Sequence, residues 1–173
     1  MVYRLFSSLF GLGGALVTLL AVSIGASQAS AASTKATGNP FDQLKGHWRG
    51  GGTMTPINGK PEKVSCRVIY NVADSAVTQT MNCAGTDYKV NTTSKFNYSG
   101  GKISGSWNES THSATGGVSG TARGNTVHAR ISGDKFSGRM SINVSGKGHT
   151  INIVQFDQNS GAYRPVANVS LRR

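Results

Sequence analysis

The sequence is short of carboxylates, of cysteines and of helical pattern, and each shortage removes a class of function. Seven Asp and Glu stand against eighteen Lys and Arg, giving a formal net charge of +11. Asp74 and Asp134 fall in turn sequences, where they cap backbone amides. No two of the remaining acids converge on the apolar face, as an acid/base pair requires. Ser and Thr are plentiful, but no nucleophile elbow or base–nucleophile pairing is readable. The chain is therefore not expected to be an enzyme. With only two cysteines and four histidines, it offers too few clustered ligands for a metal centre. No cofactor is expected either. The Gly-rich segments are not followed by helices, which phosphate-cradling loops require. Beyond the first thirty residues or so, no run is long and apolar enough to cross a bilayer as a helix.

What is present begins with an N-terminal targeting pattern. Arg4 precedes the apolar run Leu9 to Ile24, and Ala29-Ser30-Ala31 follows as a small-residue exit. This describes a secretory signal peptide over residues 1–31. Removing it takes away one cation, so +11 minus 1 leaves +10 on about 140 residues. Residues 32–43 read as a flexible leader, within which Phe41-Asp42-Gln43 and the adjoining Leu44 suit a single helical turn, and 44–173 as one domain. A periplasmic or extracellular location in a bacterium is expected. The charge favours anionic partners such as envelope polymers or lipid headgroups, and export makes nucleic acid the least expected of them.

Twenty-three glycines supply the strongest structural signal. Folding the chain about Asp74-Ser75, Gly100-Gly101, Gly124-Asn125, Gly133-Asp134 and Gly146-Lys147, each as a two-residue turn, sets apolar residues opposite apolar residues. Phe96 and Tyr98 meet Gly105 and Ile103, Val118 meets Ile131, Val127 meets Met140, and Ile142 meets Ile151. A slip of one residue would destroy the match throughout. The predicted fold is an all-β antiparallel up-and-down meander of about nine or ten strands, from Trp48–Met54 to about Tyr163–Leu171, closed into a barrel because an open meander leaves bare edges. The same turn about Asp74-Ser75 brings Cys66 opposite Cys83, and in an exported chain a disulfide is the expected consequence. Parity alone does not say which face points inward; an outer-membrane barrel would turn the oily face to lipid.

These registers also place Gly120 opposite Ala129 and Ala129 opposite Gly138. If the loop about His112-Ser113 is symmetric, Gly105 joins the same row. Glycine inside strands costs stability unless something uses the space. The candidates are a large side chain such as Trp48 or Trp107, a bend in the sheet, or a ligand. Among the histidines, His128 is expected outward opposite Arg139. His149 shares the parity of Ile151 and Ile153 at a strand end near the mouth. A rim imidazole commonly bonds a turn carbonyl, but His149 is also the histidine best placed to meet haem or a metal.

Gly46-His47-Trp48 at the head of the meander resembles the opening of the calycins, the superfamily of lipocalins, fatty-acid-binding proteins and avidins. The resemblance implies that Trp48 plugs one end of the barrel, with Arg172 or Arg173 packed across it. The longer run from Leu44 to Gly52 also resembles the haem-binding nitrobindin-type barrels, over the first strand only. The functional expectation is a non-enzymatic protein holding an apolar or amphipathic small molecule against Tyr70, Met81, Phe96, Trp107, Phe136 and Met140. Trp48, His149 and the space left by Gly105, Gly120 and Gly138 would complete that site. The alternative is a structural or surface-interaction protein whose outer strip, Arg123, His128, Arg130 and Arg139, binds an anionic envelope polymer.

Overall fold

Period-2 burial and left-handed turn residues together generate the architecture. The computed structural model describes residues 39–56 and 59–173; the signal peptide and most of the leader lie outside the described residues. A short 3-10 turn, Pro40–Gln43, precedes ten strands: β1 (Gly46–Met54), β2 (Glu62–Ala73), β3 (Ala76–Ala84), β4 (Lys89–Ser99), β5 (Lys102–Glu109), β6 (Ala114–Arg123), β7 (Thr126–Gly133), β8 (Gly138–Ser145), β9 (Gly148–Asp157) and β10 (Ala162–Arg172). Each strand pairs antiparallel with its sequence neighbours, and β1 pairs with both β2 and β10, so the sheet closes and has no edge.

β2 shows why these residues make a strand. Val64, Cys66, Val68, Tyr70 and Val72 alternate with exposed or half-exposed positions, and every one of the five is buried. The same alternation fills the interior from all sides, and Ser, Thr, Asn, Lys and Arg cover the outer wall. This is the opposite of a barrel with an oily band turned to lipid. Cys66 and Cys83 are disulfide-bonded in the expected register.

At one end, β2–β3, β4–β5, β6–β7 and β8–β9 are joined by two-residue turns at 74–75, 100–101, 124–125 and 146–147. In each, the first turn residue is left-handed: Asp74 at φ 51°, and Gly100, Gly124 and Gly146 at 55°. At the other end the connections 85–88, 110–113, 134–137 and 158–161 take four residues each, and 55–61 takes seven.

That asymmetry corrects two of the expected registers. Gly133 stays in β7, and the next loop runs Asp134 to Ser137, so Val127 faces Ile142, Ala129 faces Met140 and Ile131 faces Gly138. The slip is two residues, so inward parity survives. The loop before β6 runs 110–113 and is centred one residue earlier than His112-Ser113, so Gly105 faces Val118 while Gly120 faces Ile103. The row of Gly105, Gly120, Ala129 and Gly138 at one height therefore does not form. On the outer wall His128 faces Ser141, and Arg139 faces Arg130.

Candidate functional site

One end of the barrel is closed by packing and hydrogen bonds. Trp48, buried on β1, donates its indole N–H to the carbonyl of Leu44 at 2.6 Å. The guanidinium of Arg173 lies 4.5 Å above the same ring and donates to the carbonyls of Gln43 and Lys45 at 2.7 and 3.0 Å. The end of the leader is thus built into this floor: Pro40 and Phe41 are buried beside Leu44, and the Phe41 and Phe96 ring centroids lie 5.0 Å apart.

His149 belongs to the floor, at the end opposite the mouth where the sequence placed it. β9 begins at the 146–147 turn, so its second residue sits deep beside Trp48, with ring centroids 4.5 Å apart and nearly perpendicular. Gln79 donates its amide N–H to the Tyr70 hydroxyl at 2.8 Å, and that hydroxyl lies 3.4 Å from Nε2 of His149. With its oxygen accepting from Gln79, the hydroxyl has its proton free for Nε2. The other ring nitrogen, Nδ1, is buried and has no partner among the described residues. Burial, aided by the Arg173 charge, lowers the His149 pKa to about 4. Burial likewise raises the Tyr70 hydroxyl well above its ordinary value, against the Gln79 hydrogen bond.

Above the floor lies a cavity of about 560 Å³ that opens toward the four-residue loops. Met81, Phe96, Trp107, Phe136 and Met140, five of the residues singled out from the sequence, line it. Trp48, Tyr70 and His149 do not; they are the floor beneath it. His149 therefore presents no nitrogen to this cavity, and the histidine that borders it is His112 at the mouth. Gly105, Gly120 and Gly138 are also absent from the lining. A Cβ at Gly105 would run into the Lys95 carbonyl and one at Gly120 into that of His128, so a neighbouring strand occupies their space. A Cβ at Gly138 would meet the Phe136 ring at 2.9 Å.

Two further glycines, Gly116 and Gly133, border the Trp107 indole as well as a neighbouring strand. Trp107 faces Gly116, which faces Gly133, and the indole lies across both. Added methyls there would come within 2.7 Å of Trp107 Nε1 and 3.0 Å of Cζ2. The indole N–H donates to the Ser132 carbonyl at 3.2 Å.

Sequence reasoning missed the polar mouth. Tyr88, Glu109, His112 and Lys135 line the opening. Glu109 accepts the amides of Asn91 and Thr111 at 2.9 Å and that of His112 at 2.7 Å, and pairs with His112 Nδ1 at 2.8 Å. Burial pulls its pKa upward, but these amides outweigh it and hold the carboxyl at about 2. Glu109 is thus a fixed structural anion. The His112 ring stacks on Tyr88 at 5.7 Å, and Lys135 donates to the His112 carbonyl at 3.2 Å. Loop residues carry no periodicity, so nothing in the sequence pattern marks this group; the one available signal was the inward parity of Glu109. Of the outer strip, Arg123, His128, Arg130 and Arg139 are all exposed, and Arg139 is engaged 4.2 Å over the Tyr163 ring.

Solved structures share this fold. The chain is similar to Rv2717c from M. tuberculosis, with a TM-score of 0.64 and 12% identity over 78% of this chain and 96% of that one. A protein of unknown function from the DUF3598 family of Nostoc punctiforme matches with a TM-score of 0.53 and 12% identity, over 77% of this chain and 48% of its own length. The S-type phycobiliprotein lyase CPES from Guillardia theta matches with a TM-score of 0.52 and 15% identity, over 77% of this chain and 90% of that one. No protein-family model matches the chain, and no curated protein matches it in sequence. The likeness is one of fold, a closed antiparallel β-barrel.

Proposed function

We propose that the protein is a non-enzymatic exported carrier that holds an apolar or amphipathic small molecule inside its barrel. The observation that carries this reading is the cavity of about 560 Å³ between a closed floor and an open mouth. That volume lies within the range of small-ligand sites. Its walls are Met, Ile, Val, Phe and Trp side chains, with Gln79, Ser94 and Gln155 as inward polar groups. An apolar body would bury against these walls, and a polar end would meet Tyr88, His112 and Lys135 at the mouth. The fold shared with a phycobiliprotein lyase is consistent with a role built around a small molecule. Periplasmic or extracellular residence follows from the N-terminal signal pattern. Arg123, His128, Arg130 and Arg139 form a weaker basis for function, because Arg139 is already committed to Tyr163.

Native mass spectrometry of the mature protein purified from its own host tests this. A reproducible added mass that is lost on denaturation is the expected result. Met140→Trp, which fills the cavity from its wall, should abolish that mass while far-UV circular dichroism stays unchanged. A bare protein mass, with no displacement of an apolar fluorescent dye by host lipid extract, would count against the carrier.

A further inference from the structure

The outer wall formed by β10, β1 and β2 carries a feature that the carrier does not use. On β10, β1 and β2, Arg172 faces Arg49 and Arg49 faces Arg67, three arginines in direct cross-strand register. All three are exposed. Neighbouring strands lie about 4.8 Å apart, so the rungs stack like charges at close range. Like charges directly opposite one another destabilise a sheet. None of the three joins an ion pair among the described residues, where the carboxylate pairs are His112–Glu109 and Arg164–Asp157.

Around two of these rungs lies a groove of about 420 Å³, lined by Arg49 and Arg67 together with Lys89, Ser65, Asn82 and Asn91, and by no carboxylate. The row continues from Arg67 to Asn82 and on to Asn91, which extends the cationic ladder with amide donors. Gly50 and the backbone of the bonded Cys66–Cys83 pair form the bed of the groove, so the disulfide fixes the strands that carry Arg67 and Asn82. Of the seven carboxylates, Glu62, Asp87, Glu109, Asp134 and Asp157 stand at the mouth end and Asp42 and Asp74 at the floor turns, and none lines the groove.

We infer that the ladder Arg172–Arg49–Arg67 is a binding site for a linear polyanion carrying phosphate groups, lying across the strands. Arginine suits this ligand because its planar fork donates two parallel hydrogen bonds to one phosphate. Successive rungs would then take successive phosphates, which relieves the repulsion between the guanidinium groups. The site lies on the outer surface and stands whether or not the barrel carries a ligand.

Isothermal titration calorimetry with inorganic tripolyphosphate, against orthophosphate and polyglutamate, tests the assignment. Tripolyphosphate should bind saturably, with affinity falling steeply as salt rises. The double variant Arg49→Thr/Arg67→Thr should weaken it at least about tenfold. Arg123→Thr/Arg130→Thr removes the same charge from another part of the wall and should leave affinity within about twofold. Arg49→Lys/Arg67→Lys keeps the charge and should lose most of the preference for tripolyphosphate over orthophosphate. In every variant, an unchanged far-UV spectrum and unchanged dye uptake by the cavity report an intact barrel. Equal losses in the two Thr variants would reduce the site to net charge and overturn the proposal. So would polyglutamate binding as tightly as tripolyphosphate, or the absence of saturable binding to the wild type. A phosphodiester oligonucleotide of matched charge separates a general phosphate chain from a condensed one: binding within about tenfold of tripolyphosphate supports the broad class, and none confines the site to oligophosphates.

Discussion

The two ends of this barrel are built on different principles. At the floor, Trp48, Tyr70 and His149 are buried with Arg173 over the Trp48 ring, and apart from the unpartnered Nδ1 of His149 their polar atoms meet the Leu44 carbonyl, Gln79 and one another. At the mouth, Glu109, His112, Tyr88 and Lys135 surround an opening, and a disulfide one row down ties β2 to β3. Packing closes one end, and the other is held open by charge-assisted hydrogen bonds and a covalent link. The lesson is that stability and an open cavity need not compete when they occupy opposite ends of the sheet.

Two tryptophans, one at each end, provide the largest test of that contrast. Trp48→Ala removes a side chain packed on every side and should destabilise the protein by about 4 kcal/mol. Trp107→Ala removes one whose ring borders open space, so fewer contacts are lost, and about 2 kcal/mol is expected. Urea denaturation curves with unchanged slopes measure both. Equal costs would mean that the cavity is not open in solution and that both rings are core.

The covalent link comes next. Replacing Cys66 and Cys83 by Ala opens a loop with a sequence separation of 17, and the chain-entropy model assigns roughly 3 kcal/mol to a loop of this size. Because the floor depends on other contacts, the Arg173–Trp48 pair should persist in the Ala variant, and Trp48 fluorescence, read in a Trp107→Phe background, should not shift before global unfolding. A blue or red shift at native conditions would show that the two ends are mechanically coupled after all.

How much of this was legible depends on the end considered. The floor turns were readable because each begins with a residue that tolerates positive φ, and a two-residue loop then fixes the register of everything beyond it. That logic placed Cys66 opposite Cys83 and Ile142 opposite Ile151 correctly. Gly133-Asp134 has the same composition but lies at the mouth, where Gly133 stays in its strand and the loop takes four residues. Composition alone does not tell a turn glycine from a strand glycine that makes room for an indole. Gly116 and Gly133 are of the second kind, and only the true register shows Trp107 resting on them. His149 was misplaced for a related reason: parity tells inward from outward but does not say which end of the barrel a strand terminus occupies. The cavity walls followed from parity and the polar mouth did not, because Tyr88, His112 and Lys135 sit in or beside loops.

Acid separates the ends with the finest resolution. His149 titrates at about 4 in the fold against an ordinary 6.5, so on acidification the unfolded chain takes the proton first. The stability linked to it is complete above about pH 6.5 and drains away as the pH falls toward 4, at most roughly 3 kcal/mol. Glu109 is held at about 2 against an ordinary 4.5; its contribution is complete above about pH 4.5 and is lost as the pH falls toward 2. Asp157 shares the lower window, its carboxyl lowered by the Ser160 hydroxyl, the Asn159 amide and then Arg164. Stability measured against pH should therefore fall in two steps, the floor first and the mouth second. His149→Gln should flatten the upper step alone. Glu109→Gln should shrink the lower step without abolishing it, because Asp157 remains. A single step centred near pH 4, unmoved by either substitution, would mean that the floor imidazole is hydrated in solution and that the ends differ in shape but not in their electrostatics.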